Sequence, residues 1–181
     1  MRHRSFLIFF AVFLLVLFGL HYYLWARLVR DTGLRMPWRA LATAAIAGFG
    51  LLIPASFILM RAAPRTPAPL FWAVYLWMGL AFFLVVLLAV GDLARLPLWL
   101  SDLARRAPED PGRRQFLGRL VAGTALLGAG GLSMAGLFGA AAGAIRVKRV
   151  RVGLSKLSPD LEGFRIVQVT DLHVGPTIGL S

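Results

Sequence analysis

Long apolar stretches alternate with short basic ones along this chain. Four stretches contain no Asp, Glu, Lys or Arg: residues 6–26, 40–60, 66–91 and 120–145. A helix rises about 1.5 Å per residue, so about 20 residues cross a hydrocarbon core roughly 30 Å thick. Each stretch is long enough, and a helix in lipid satisfies its own backbone hydrogen bonds. The pattern predicts four transmembrane helices within residues 1–145. A soluble bundle would need four helices with almost no polar face, against the amphipathic pattern water requires.

The spans differ in detail. "MRHRS" followed by "FLIFFAVFLLVLFGL" has the charge and apolar core of a signal peptide. No small-x-small cleavage site follows; "HYYLWARLVR" comes instead, an aromatic belt and then arginines. That is how a retained span meets the membrane interface. Pro54 lies inside the second span, where membrane helices tolerate a kink. "RAAPRTPAP" is a tight connection, so spans two and three form a hairpin. Beyond the third span, Leu93, Leu96, Leu100 and Leu103 share one helical face beside Trp99, which predicts a short helix lying in the interface.

In the fourth span Gly131, Ala135, Gly139 and Gly143 recur every four residues. Small residues along one face let a second helix approach closely. A weakly apolar span with no special partner explains the same run equally well.

After residue 145 the period changes. Val147 with 150–152, and then 164–170, alternate and are rich in β-branched residues, the pattern of two strands around the turn-type residues of "SPDLEG". Residues 146–181 thus read as the start of an α/β or β domain. About 35 residues are too few for a self-sufficient core. The fold class expected is an α-helical membrane protein of four spans followed by the first strands of such a domain.

Composition strengthens the membrane reading. Hydrophobic residues make up 59% of the 181, against about 45–50% in soluble chains. There is no cysteine, which excludes disulfides, thiolate zinc sites and cysteine nucleophiles. The net charge is +12, but the cations flank the spans, where they serve lipid headgroups rather than nucleic acid. Connections 27–39 and 92–119 together carry ten Lys and Arg, against four on the N-terminus and 61–65. Positive charge prefers the cytoplasm, which places both termini outside a bacterial inner membrane. The four basic residues at 146–151 weaken that asymmetry to ten against eight. No span contains an acidic residue, Lys or Arg of the kind that marks an ion path.

"GRRQFLG" at 112–118 is similar to a twin-arginine export signal: Arg113 and Arg114, then Phe116 and Leu117, ahead of a weakly apolar run. Gly112 and Gly118 replace the polar residue and the lysine usual at those positions. An ordinary basic flank explains the pair as well. On the export reading the twin-arginine translocase is a partner, and both readings put 92–119 in the cytoplasm.

The tail carries the candidate chemistry. In "FRIVQVTDLHVG" a hydrophobic strand ends at Thr170, Asp171 follows at its carboxyl end, and His173 is two residues on. In extended backbone i and i+2 point the same way, so a carboxylate and an imidazole can reach one cation. A mixed oxygen and nitrogen pair suits Mn, Fe, Zn or Ni better than Ca or Mg. Taken alone, Asp-x-His is a weak signal, and a solvated turn is the commoner reading of it.

The longer run "LSPDLEGFRIVQVTDLHVGPTIG" closely resembles the opening of the calcineurin-like metallophosphoesterase superfamily, in its bacterial branch with N-terminal membrane spans. The matching features are Leu161 and Gly163, the apolar 164–170, Thr170-Asp171-Leu172-His173, and Gly175. They cover about a fifth of the chain. The resemblance implies an α/β sandwich, a two-metal centre with Asp171 and His173 on the first divalent ion, and hydrolysis of a phosphate-ester substrate by metal-activated water. The family's later motifs, Gly-Asp-x-x-Asp, Gly-Asn-His and Gly-His-x-His, do not occur in these 181 residues. The expectation is therefore an N-terminal portion of such an enzyme, inactive alone. The alternative is a non-enzymatic four-span protein that acts as an assembly or regulatory partner.

Overall fold

A computed structural model describes residues 2–62, 68–104, 110–141, 148–151, 158 and 163–168. Four long helices make up nearly all of it: α1 (Arg2–Trp25), α2 (Trp38–Ala62), α3 (Ala68–Ala104) and α4 (Pro111–Ala141). All four are long and apolar enough to cross a membrane. Their outer faces are apolar, with Leu15 74% and Leu127 81% exposed. Such surfaces suit acyl chains and not water.

The core is thin, because each helix buries a narrow stripe. Leu24, Val29, Ile46, Ala81, Leu84, Leu88, Ala125 and Ala129 form it. The most extensive helix pair is α3 with α4. Ala122, Ala125 and Ala129 supply its buried small face. At Gly91 of α3 an added Cβ would lie 2.6 Å from a Val121 methyl of α4, so this crossing has no room for a side chain. The face at Gly131, Ala135 and Gly139 is a different one. These residues are exposed, and a Cβ at Gly131 or Gly139 meets nothing within 4 Å. Gly143 lies outside the described residues.

Two expectations need correction. The first is the pair of strands that would open an α/β sandwich. Among the described residues there is no strand. Residues 148–151 and 164–168 are irregular, and Phe164, Ile166 and Val167 are 71%, 85% and 84% exposed. A strand is held by hydrogen bonds to a neighbour and by a core beneath it, and even a lone hairpin is marginal. An alternating sequence without either stays unpaired. The rest of that pattern, at 147, 152 and 169–170, lies outside the described residues.

The second is the short interfacial helix at 92–104. It is the last part of α3, which runs 37 residues without a break, or about 55 Å. Gly91 does not stop it, and Pro97 is accommodated within it. Helix α2 likewise continues through Pro54.

Candidate functional site

Chemistry among the described residues concentrates where α1 ends. The helix loosens there into a π-helical turn, Ala26–Arg30, closed by the Asp31 amide donating to the Ala26 carbonyl at 2.9 Å. Such wide turns recur at functional sites. Asp31 follows Arg27 by four residues, the spacing at which helical side chains meet. The Arg27 Nη1 reaches Asp31 Oδ2 at 2.8 Å, and Arg30 Nε reaches Asp31 Oδ1 at 2.9 Å.

Arg27 also crosses to α3, its Nε 2.9 Å from Asp92 Oδ2. The same oxygen accepts from the Tyr23 hydroxyl at 2.7 Å, and the Arg27 guanidinium lies 5.7 Å from the Tyr23 ring centre. One guanidinium thus joins two carboxylates and an aromatic face. Burial pushes the Asp31 carboxyl up, but the hydrogen bonds and charges of Arg30 and Arg27 outweigh it and hold the group below its ordinary value.

Helix α4 completes the site. Asp110 caps its start, Oδ1 accepting from the amides of Gly112 at 2.8 Å and Arg113 at 3.2 Å, with Pro111 as first helical residue. Arg119 donates from Nε to the Thr32 carbonyl at 2.9 Å. A Cβ at Gly118 would stand 3.0 Å from the Asp31 carbonyl oxygen. Gly33 adopts a left-handed φ of +64° against Gln115, which suits glycine alone. These contacts bring 27–33, Asp92 and 115–119 to one end of the bundle.

A cavity of about 490 Å³ opens at this end, lined by Arg27, Arg30, Arg95 and Arg114, by Asp31 and Asp92, and by Leu88, Leu96, Val121 and Trp99. The arginine pair of "GRRQFLG" therefore occupies the first turns of α4, with Arg114 on the cavity wall. Phe116 is exposed and Leu117 half-buried.

A second polar cluster sits inside the bundle. His21 is 8% exposed. Its Nδ1 bonds to the Leu17 carbonyl at 2.8 Å, and its Nε2 accepts from the Trp77 indole at 3.1 Å. The carbonyl partner requires the proton on Nδ1, so both ring nitrogens are satisfied in the neutral form. Trp77 stacks on Phe49 at 4.6 Å. A Cβ at Gly50 would come within 3.0 Å of the imidazole. This cluster ties α1, α2 and α3 together.

Asp171 and His173 lie outside the described residues. Among the described residues no three His, Asp or Glu form a group able to hold a metal ion. One carboxylate and one imidazole are fewer than the three protein ligands a catalytic metal ordinarily takes. The arginine–aspartate site was missed in the sequence, where Asp92 is 65 residues from Arg27. The Arg27–Asp31 spacing was the local signal that could have found it. No protein-family model, curated protein or solved structure matches the chain.

Proposed function

We propose that the chain is the membrane-bound portion of a metal-dependent phosphoesterase. The observation that carries this is the run from Leu161 through Thr170-Asp171-Leu172-His173 to Gly175. It is supported by Gly163, whose φ of +82° makes a turn that leads into 164–168. Asp171 and His173 would be ligands of one divalent ion, Mn, Fe, Zn or Ni, and a metal pair would supply an activated water. The four helices hold the tail at the membrane. The test is genetic first. A reading frame continuing past Ser181 should encode Gly-Asp-x-x-Asp and Gly-Asn-His; a frame without them removes the reading. The gene product should then hydrolyse a model phosphodiester with added Mn²⁺. Asp171→Asn should lower that rate more than about 100-fold, since groups that merely orient a metal ligand already carry about 10- to 100-fold.

The basic end of the bundle faces the cytoplasm of an inner membrane, and the termini face outward, on a charge asymmetry of ten to four that becomes ten to eight when 146–151 are counted. Cysteine placed at Ser155 should be labelled from outside the cell and cysteine at Ser101 should not. The opposite pattern inverts this topology. Export of the tail by the twin-arginine translocase predicts that replacing Arg113 and Arg114 together with Lys abolishes labelling at position 155.

A second reading, a non-enzymatic partner protein, is favoured by the exposed small face at Gly131, Ala135 and Gly139. Crosslinking of the chain to a stable membrane partner, lost in Gly139→Leu, supports it.

A further inference from the structure

We infer that the cavity at the basic end is a binding site for the phosphate headgroup of an anionic membrane lipid. Three observations carry this. The first is charge. Four arginines and two aspartates line the cavity. Asp31 and Asp92 are committed to Arg27 and Arg30. Among the described residues no carboxylate pairs with Arg95, which is half-buried on the wall. A guanidinium in that setting favours a bidentate oxyanion such as phosphate.

The second is the other half of the wall. Leu88, Leu96, Val121 and Trp99 line the same space as the arginines. A free phosphate has no use for apolar walls; a lipid needs arginine at its headgroup and apolar groups at its first methylenes. The volume, about 490 Å³, falls in the range of sites that enclose small molecules.

The third is depth. Arg30 of the cavity wall donates to the Tyr22 hydroxyl at 3.4 Å, the Tyr22 ring lies 5.8 Å from that of Trp25, and Trp99 on the same wall is 57% exposed. Aromatic residues of this kind mark the headgroup zone, where basic pockets between helices take phosphate headgroups. The site is built from the π-helical turn that continues α1, from α3 and from α4, so a bound lipid bridges all three. The inference does not depend on the phosphoesterase reading.

The test uses the 181-residue chain purified in a neutral detergent, with native mass spectrometry reading bound lipid as phosphatidylglycerol or phosphatidylcholine is titrated in. Phosphatidylglycerol should bind more tightly than phosphatidylcholine. Arg95→Gln should weaken phosphatidylglycerol about fivefold, the worth of one cation near a lipid surface, and weaken phosphatidylcholine, whose phosphate is offset by its own ammonium, by less. Arg95→Lys should recover part of the loss. Arg61→Gln, in the last turn of α2, should have no effect. Equal binding of the two lipids, or an unaltered affinity in Arg95→Gln, overturns the inference. Inorganic phosphate that displaces the lipid with the same Arg95 dependence overturns the lipid assignment and leaves a simple anion site. Failure of the catalytic tests above would leave all of these outcomes as they are.

Discussion

Arg27 and Asp92 join the π-helical turn after α1 to α3, and replacing them by Gln and Asn, singly and together, measures that link. They meet at 2.9 Å with side chains 37% and 25% exposed. Fully exposed ion pairs contribute about 0.2–1 kcal/mol, whereas breaking a buried pair from one side costs about 3–5 kcal/mol. Exposure of this degree puts the coupling between them at about 1–2 kcal/mol. The single variants are not equivalent. Asp92→Asn leaves Arg27 its contact with Asp31 and leaves Tyr23 an amide oxygen to donate to. Arg27→Gln takes a guanidinium from both aspartates, though Asp31 keeps Arg30. We expect about 1 kcal/mol for Asp92→Asn, about 2 kcal/mol for Arg27→Gln, and less than their sum for the double variant. Reversible unfolding in detergent micelles, followed by tryptophan fluorescence, gives all three values. A coupling below about 0.5 kcal/mol, the scatter of independent sites, refutes the role assigned to this pair.

Four further outcomes are expected. Asp31 is held below its ordinary value, so its contribution is complete above the ordinary carboxylate pKa and is lost as pH falls through the depressed one; melting curves should show less acid destabilisation in Asp31→Asn than in the parent. His21→Phe removes the acceptor of the Trp77 indole and should cost about 1–2 kcal/mol in the same unfolding assay. Gly91→Ala forces a Cβ onto Val121 and should destabilise by about 1–3 kcal/mol, whereas Gly131→Ala, with open space around it, should stay within about 0.5 kcal/mol. Asp110→Ala removes the cap of α4 and should cost about 1 kcal/mol, read as an earlier loss of helical signal on heating.

Legibility in the sequence followed how local each cause was. The four spans were legible because apolar length is a property of contiguous residues. The end of α3 was not. Leu93, Leu96 and Leu100 form the same stripe on a separate interfacial helix as on a continuing one, and Gly91-Asp92 permits either. The strands at 164–170 were expected from alternation, but alternation specifies a face and supplies no neighbour. The small residues of α4 pointed to a face at Gly131, Ala135, Gly139 and Gly143 where a helix could approach, but the face packed on α3 is another. Ala122, Ala125 and Ala129 are buried against α3, and Gly131 and Gly139 are left open.

The sequence by itself determined that this is a protein of four membrane-length helices whose spans are free of charged residues and flanked by basic ones, because each of those facts is written in consecutive residues. It also contains the Asp171 and His173 pair, whose geometry lies beyond the described residues. The tertiary structure alone decided that Arg27 answers to both Asp31 and Asp92, that Arg119 clamps α4 to Thr32, and that Arg95 and Arg114 share a cavity with Leu88 and Trp99. Those partners lie up to 87 residues apart. Their meeting depends on how narrow stripes of small side chains let the helices approach, and no local pattern encodes that distance.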